Sequence, residues 1–360
     1  MDANDSFHIA VIAGDGIGTE VMAPALEILR KLEASHAGLK FRFTEAPAGA
    51  NHYRQTGTAL PEATVKLCDA ADAVLLGACG LPDVRYPDGT EIAPQIELRK
   101  IFDLYAGVRP ARLVPGVASP IVGAAEHGID FVVIRESTEG LFASMGKGVV
   151  TDDEARETLV ITRKTCERLF DFSFRLAARR KARGLRGQLT CVDKANVFKA
   201  FAFFRKIFDE RAARFPEVDG THIYIDACSA ALVRKPWDFD VLVTENMFGD
   251  ILSDLAAGLI GGMGMAPSAD IGDTHAVFQP CHGTAPDIMG TGRANPAAMI
   301  LSAAMMLDWL AERHDHKAAA EAARRIDQAV DRAFAAGLKP CEMGGRDGTQ
   351  AIARAVMAAL

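Results

Sequence analysis

Short apolar runs alternate with longer amphipathic ones along nearly the whole chain, and this alternation predicts an α/β architecture. Residues 8–13 (HIAVIA) read as a buried strand. After a glycine-rich turn, Val21, Met22, Ala25, Leu26, Ile28, Leu29 and Leu32 recur at helical spacing. Residues 73–76, 131–134, 188–192, 222–225 and 241–244 read as further strands. The last three each end where a polar residue or motif begins, and α/β proteins place ligands at strand carboxyl ends. The alanine-rich stretches 317–336 and 349–359 predict scaffold helices. Two passages read as hinges between lobes around a cleft: the proline-rich 109–120, and 258–267 with four glycines.

Composition narrows the function. Of 360 residues, 49% are hydrophobic and 24% charged, which excludes a wholly disordered chain. The net charge is −7, and the basic clusters (Arg179-Arg180-Lys181, Arg183) are short, so nucleic-acid binding is not expected. Seven cysteines occur singly without a Cys-x-x-Cys pair, which argues for a reducing compartment and against a zinc site. The apolar stretch 297–307 is too short to span a bilayer, and the polar, acidic start does not read as a signal peptide. A cytoplasmic protein without membrane contact is expected.

The chemistry rests on a few groups. Asp250 and Asp254 stand four apart on a predicted helix, so both carboxylates share one face and could grip one cation. Asp226, after the 222–225 strand, is a candidate third oxygen ligand. An all-oxygen set favours Mg²⁺ or Mn²⁺. The same spacing also fits a solvated helix face with a capping aspartate. Arg99, Arg109 and Arg135 could bind a di- or tricarboxylate bidentately, although each alone reads equally as a salt-bridged structural arginine. Lys194 ends a strand in apolar surroundings, where it is either a candidate base or a snorkelling surface lysine.

Two segments compete for a nucleotide. Gly14-Asp-Gly-Ile-Gly18 has G-x-G-x-G spacing rather than G-x-G-x-x-G, and a plain tight turn explains it equally. His282-Gly283-Thr284-Ala285-Pro286-Asp287, followed by Gly290, Gly292 and Asn295, is the better candidate, because its turn residues let backbone amides approach a phosphate. Asp287 there would accept from ribose hydroxyls and repel a 2′-phosphate, favouring NAD over NADP.

In order along the chain, Gly14–Gly18, Val108-Arg-Pro110, Arg135-Glu-Ser-Thr-Glu-Gly140, Val192-Asp-Lys-Ala-Asn196, Phe248-Gly-Asp-Ile-Leu-Ser-Asp254 and His282–Asp287 resemble the β-decarboxylating dehydrogenases. That family holds the isopropylmalate, isocitrate, homoisocitrate, tartrate and D-malate enzymes. The likeness implies an isopropylmalate dehydrogenase-like fold with a mixed central sheet, not a Rossmann fold. Residues 1–107 with 261–360 would form a large cofactor lobe, and 108–260 a small lobe with the dimer interface. It implies carboxylate binding by Arg99, Arg109 and Arg135, and metal binding by Asp226, Asp250 and Asp254. Catalysis would fall to Lys194 and Asp226. NAD would be held by His282, Gly283, Thr284, Ala285, Pro286, Asp287, Ile288 and Asn295, with Asn196. It also implies a homodimer in which Lys194 and Asp226 serve the neighbouring subunit's site.

The expected reaction is NAD- and metal-dependent oxidative decarboxylation of a 3-substituted, isopropylmalate-like malate. The alternatives are an isocitrate, tartrate or D-malate dehydrogenase, a non-catalytic regulatory subunit, and a metal-free Rossmann 2-hydroxy-acid dehydrogenase. Two departures from the family pattern stand out: Phe142 where the family has a proton-donating tyrosine, and Gln95-Ile96 where isopropylmalate enzymes carry Leu-Leu. Isocitrate enzymes carry Ser-x-Asn at the positions of Ala93 and Gln95.

Overall fold

The apolar strands predicted from the sequence pair in two groups, 8–13 with 73–76 and 131–134 with 241–244 and 188–192, and polar-bearing strands between the groups join them into one sheet. The computed structural model describes residues 6–36 and 38–360; the acidic start, residues 1–5, lies outside them. The strands are β1 (Phe7–Gly14), β2 (Phe41–Glu45), β3 (Ala73–Ala78), β4 (Ala106–Arg112), β5 (Asp130–Glu136), β6 (Val149–Val150), β7 (Ala155–Arg156), β8 (Gln188–Asp193), β9 (Asp219–Tyr224), β10 (Val241–Thr244), β11 (Pro267–Ile271) and β12 (Ala276–Pro280). The helices are α1 (Gly18–Ser35), α2 (Ala50–Thr56), α3 (Glu62–Asp69), α4 (Pro94–Ile101), α5 (Ala124–His127), α6 (Arg163–Ala182), α7 (Lys199–Ala212), α8 (Ile225–Arg234), α9 (Asn246–Leu259), α10 (Ala297–His314), α11 (Lys317–Ala335) and α12 (Thr349–Ala359).

Ten strands form one sheet in the order β2-β1-β3-β12-β11-β4-β5-β10-β8-β9, and β6 and β7 pair as a separate hairpin. The flanks are parallel, β2 through β12 on one side and β5 through β9 on the other. The middle, β12-β11-β4-β5, is antiparallel. A doubly wound Rossmann sheet has no such antiparallel centre, so that alternative is excluded. Both chain ends build the β2–β12 side, and the middle of the chain builds the other.

Several expectations need correction. The hinge read at 109–120 begins inside β4, whose Pro110 opposes Val132 of β5 and lies beyond the last residue paired with β11. A proline there costs no ladder bond on the β11 side. Of the 258–267 passage, Gly258 is still helical in α9. Gly261 adopts a φ of +110°, and a Cβ there would meet Val117 Cγ1 at 2.5 Å, so this glycine serves close packing. Strand β9 stops at Tyr224, and Ile225 already opens α8. The 297–307 stretch is the core of α10, buried between the sheet and α1 and α11. Among the described residues no helix is long and apolar enough to cross a membrane. All seven cysteines are free.

The glycine turn has a mechanical role. Gly16 takes a φ of +55°, and a Cβ on it would sit 2.1 Å from the Thr284 carbonyl oxygen. The Ile17 N–H donates to that same oxygen at 2.9 Å. Between the glycines, the fully buried Asp15 accepts from the backbone N–H groups of Ala50 (2.6 Å), Asn51 (2.8 Å) and Gly80 (2.9 Å). Asp15→Ala would leave three donors without a partner. At about 1–3 kcal/mol for each unsatisfied buried group, a loss of roughly 3 kcal/mol or more is expected in urea unfolding. A loss under ~1 kcal/mol would show that the donors find other acceptors.

Candidate active site

Six elements converge on one polar pocket: the carboxyl ends of β3 and β12, helix α4, strand β4, and the β5–α9 pair. It is lined by Gln95 and Arg99 from α4, Arg109 from β4, Arg135 from β5, and Asp250 and Asp254 from α9, with Pro280–Gly283 closing one side. The three predicted arginines therefore do meet, and each is nearly buried. What holds them is a residue that the sequence reading did not single out. Asp270, on the central antiparallel strand β11, is 1% exposed. It accepts from Arg99 Nε at 3.0 Å and Arg109 Nη2 at 3.3 Å, and also from Gln279 Nε2 at 3.0 Å. Burial pushes its carboxyl up, yet Arg99, Arg109 and Arg135 outweigh this and hold it below the usual range. A charged residue inside a strand flanked by Ala269 and Ile271 was the available signal.

Arg135 is held differently. Its Nε and Nη2 donate to Asn246 Oδ1, at 3.2 and 2.8 Å, and its Nη1 pairs with Asp250. Burial, then the neighbouring Arg99, pulls its pKa down to about 10. The rest of the Arg135–Gly140 motif is structural. Glu136 accepts from the Thr138 and Glu139 backbone N–H groups, and Glu139 accepts from Thr162 at the start of α6. Phe142 stands over the arginine, with its ring centroid 5.9 Å from the guanidinium, within cation–π range.

On α9, Asp250 and Asp254 lie one turn apart along the pocket wall, as their spacing predicted. The Asp254 carboxyl is pushed up by burial and then by Asp250, so the two like charges repel although Arg135 pairs with Asp250. Two hard-oxygen donors in that condition fit a divalent cation. Asp226 does not join them: it sits in the first turn of α8, and among the described residues no group of three or more His, Cys, Asp or Glu is arranged to hold a metal. Instead Asp226 accepts from Lys194 Nζ at 2.5 Å, and this bond holds its carboxyl below the usual range. Lys194 is thus turned onto a carboxylate, not onto open solvent. Asp193, beside it, is buried and paired with Arg205 at 2.7 Å. Asn196 is exposed and does not line the nucleotide-candidate pocket.

That second pocket is formed by Ile17, Gly264, His282, Ala285, Ile288, Arg293, Asn295 and Glu342, among others. Of the 282–295 candidates it brings together His282, Ala285, Ile288 and Asn295, while Gly283, Thr284, Pro286 and Asp287 do not line it, and it adds Glu342, which accepts from Asn295 Nδ2 at 2.6 Å and was missed. Ala285 takes a φ of +37°, turning the loop so that Thr284 is buried against the glycine turn while Asp287 stays exposed at its rim. His282 Nδ1 donates to the Gly283 carbonyl oxygen at 2.9 Å, and its Nε2 is buried without a partner. Burial lowers the His282 pKa, so the ring is neutral and Nε2 presents a lone pair. An orphaned acceptor in a largely apolar pocket fits an amino-bearing heteroaromatic base. His282 and Gly283 line the first pocket too, so the two spaces adjoin.

Comparison with known proteins agrees with this arrangement. The family model described as isocitrate/isopropylmalate dehydrogenase matches residues 8–356. The chain is 43% identical over 349 residues to a 3-isopropylmalate/3-methylmalate dehydrogenase of Methanocaldococcus jannaschii, covering 97% of each. It is 43% identical over 356 residues to an isocitrate/homoisocitrate dehydrogenase of Thermus thermophilus, covering 99% of each. The crystal structure of isocitrate dehydrogenase from Methylococcus capsulatus superposes with a TM-score of 0.84 at 36% identity, over 98% of this chain and 99% of that one. With the mixed sheet, the arginine-lined pocket and the adjoining loop pocket in place, the chain belongs to the isocitrate/isopropylmalate dehydrogenase family.

Proposed function

We propose that the protein catalyses the NAD- and divalent-metal-dependent oxidative decarboxylation of a 3-substituted malate. The observation that carries this reading is the meeting of Arg99, Arg109 and Arg135 beside Asp250 and Asp254 in one pocket. Once a cation offsets the two aspartates, the arginines exceed Asp270 in charge and select a dianionic substrate. Arg99 and Arg109 orient its carboxylates because Asp270 fixes their planes. A divalent metal held by Asp250 and Asp254 would supply the charge that acidifies the substrate hydroxyl and stabilises an enolate, and NAD held by the 282–295 loop would supply the hydride acceptor. Lys194, acting as the neutral amine through a water, would take the hydroxyl proton, and Asp226 keeps its Nζ in place.

Lys194 and Asp226 lie outside the pocket of their own chain, which supports a homodimer in which they serve the neighbour's site. Val233 on α8, and Met247 and Ile251 on α9, are exposed apolar side chains on adjacent helices, as a subunit interface requires. Residues 1–107 with 261–360 and residues 108–260 would then be the lobes that close over substrate. A metabolic enzyme of this kind fits the expected cytoplasmic setting.

Three outcomes test the reading. EDTA is expected to abolish NADH formation from malates, Mg²⁺ or Mn²⁺ to restore it, and Asp250→Asn to weaken metal binding without unfolding; full activity after rigorous chelation would refute the metal role. NAD is expected to be preferred over NADP. A carboxylate such as Asp287 within ~4 Å of a 2′-phosphate costs on the order of 1–4 kcal/mol per unit charge, or roughly tenfold to several-hundredfold in catalytic efficiency. Equal efficiencies would remove Asp287 from that role. Finally, Lys194→Met and Asp250→Asn, each inactive alone, should regain activity when unfolded together and refolded as mixed dimers. No recovery in dimers shown to be mixed would place Lys194 in its own chain's site.

A further inference from the structure

Arg99 and Arg109 lean on a buried carboxylate, whereas Arg135 leans on a neutral amide. Asn246, the first residue of α9, accepts from Arg135 Nε at 3.2 Å and from its Nη2 at 2.8 Å. The other end of the same amide is engaged too: Nδ2 donates to the Glu139 carbonyl oxygen at 3.2 Å and lies 3.5 Å from Glu136 Oε2. A guanidinium only donates and a carbonyl only accepts, so a side chain that bonds both must carry an acceptor and a donor, as an amide does. An aspartate would turn an oxygen onto the Glu139 carbonyl, and a leucine would leave both sides unpaired. Two glycines permit the close approach. A Cβ on Gly249 would press on Arg135 Cβ at 2.6 Å, and one on Gly140, whose φ is +69°, would meet Asn246 Cβ at 3.1 Å. Arg135 and Asn246 are 5% and 4% exposed, so this contact is made within one chain, whatever a neighbouring subunit adds to the pocket. With Asp250 on Nη1, three of the five guanidinium N–H groups are taken. Two are left for a substrate carboxylate, in a plane that the amide has set.

We propose, resting on the dehydrogenase reading above, that Asn246 is a positioning residue for substrate binding, which acts by fixing the plane of Arg135. It does not line the pocket, so it reaches the substrate only through the arginine. Held by Asp250 alone, the guanidinium could swing on its flexible stem, and each binding event would have to order it again. The neutral partner also leaves the arginine's charge uncancelled. Asp270 already offsets part of the charge of the three guanidinium groups, and a second buried carboxylate would weaken the attraction for a polyanionic acid.

The test is a double-mutant cycle of Asn246→Ala with Arg135→Lys. Calorimetry with Mg²⁺ and without NAD gives the affinity for malates bearing 3-methyl, 3-isopropyl and 3-carboxymethyl groups. Steady-state assays with NAD and Mn²⁺ give KM and kcat on the same acids. Asn246→Ala is expected to weaken binding and raise KM by about 10- to 10²-fold, the scale of a hydrogen bond to a charged group, with kcat changed far less. In the Arg135→Lys background no fork remains to be aligned, and the same substitution should add less than about twofold. Effects that multiply in the double variant overturn the proposal, since Asn246 then acts on something other than Arg135. Unchanged affinity in Asn246→Ala overturns it as well. If the alanine variant shows no cooperative unfolding in urea, Asn246→Ser carries the same cycle, because it keeps a hydroxyl at the start of α9. Loss of the folded state in both variants also overturns the proposal, since the residue then serves the fold. In each of these cases wild-type turnover leaves the dehydrogenase reading standing. If the wild-type protein neither binds nor oxidises any of the three acids, both readings fall.

Discussion

A carboxylate sealed inside a sheet must be compensated or neutralised, and Asp270 is compensated by the groups that the site needs. Two guanidinium groups, one from α4 and one from β4, converge on its two oxygens, and Gln279 from the adjacent strand adds a third bond. The arrangement joins elements far apart in sequence: Arg99 and Asp270 are separated by 171 residues. Such a buried network contributes little net stability compared with well-packed apolar groups, but breaking one partner leaves an uncompensated charge. Its benefit is orientation. Arg99 and Arg109 face the pocket with planes already set, so substrate binding need not order them.

The antiparallel centre of the sheet follows from the same requirement. Strand β11 sets Asp270 opposite Gly107 of β4, and Arg109 follows two residues further along β4 on the same face. A Cβ at Gly107 would press on Ser137 Oγ at 2.6 Å, so glycine there gives the polar cluster its room. Outside this centre β1, β3, β8 and β10 are largely apolar and buried, while the edge strands β2 and β9 carry polar, partly exposed residues.

That contrast explains what could be read from the chain. β1, β3, β5, β8 and β10 were legible because burial on both faces leaves continuous apolar runs. β4, β11 and β12 were not, since Arg109, Pro110, Ser268, Asp270 and Gln279 interrupt the pattern. Three of the strands that escape periodicity, β4, β11 and β12, build the site together with the legible β3 and β5. Among site residues, Asp250 and Asp254 were legible from helical spacing and the loop 282–287 from its turn chemistry. Asp270, Asn246 and Glu342 were not, because each acts only through a partner distant in sequence, which spacing does not encode.

His282 forms part of both pockets, with Nδ1 tied to its own loop and Nε2 free. A single ring therefore borders both spaces, the one proposed for the nucleotide and the one proposed for the acid. A group that bonds Nε2 on one side would fix the orientation of the ring that the other side sees. Two such occupancies would be thermodynamically linked, and the linkage would be reciprocal: any factor by which one ligand tightened the other would be returned in equal measure.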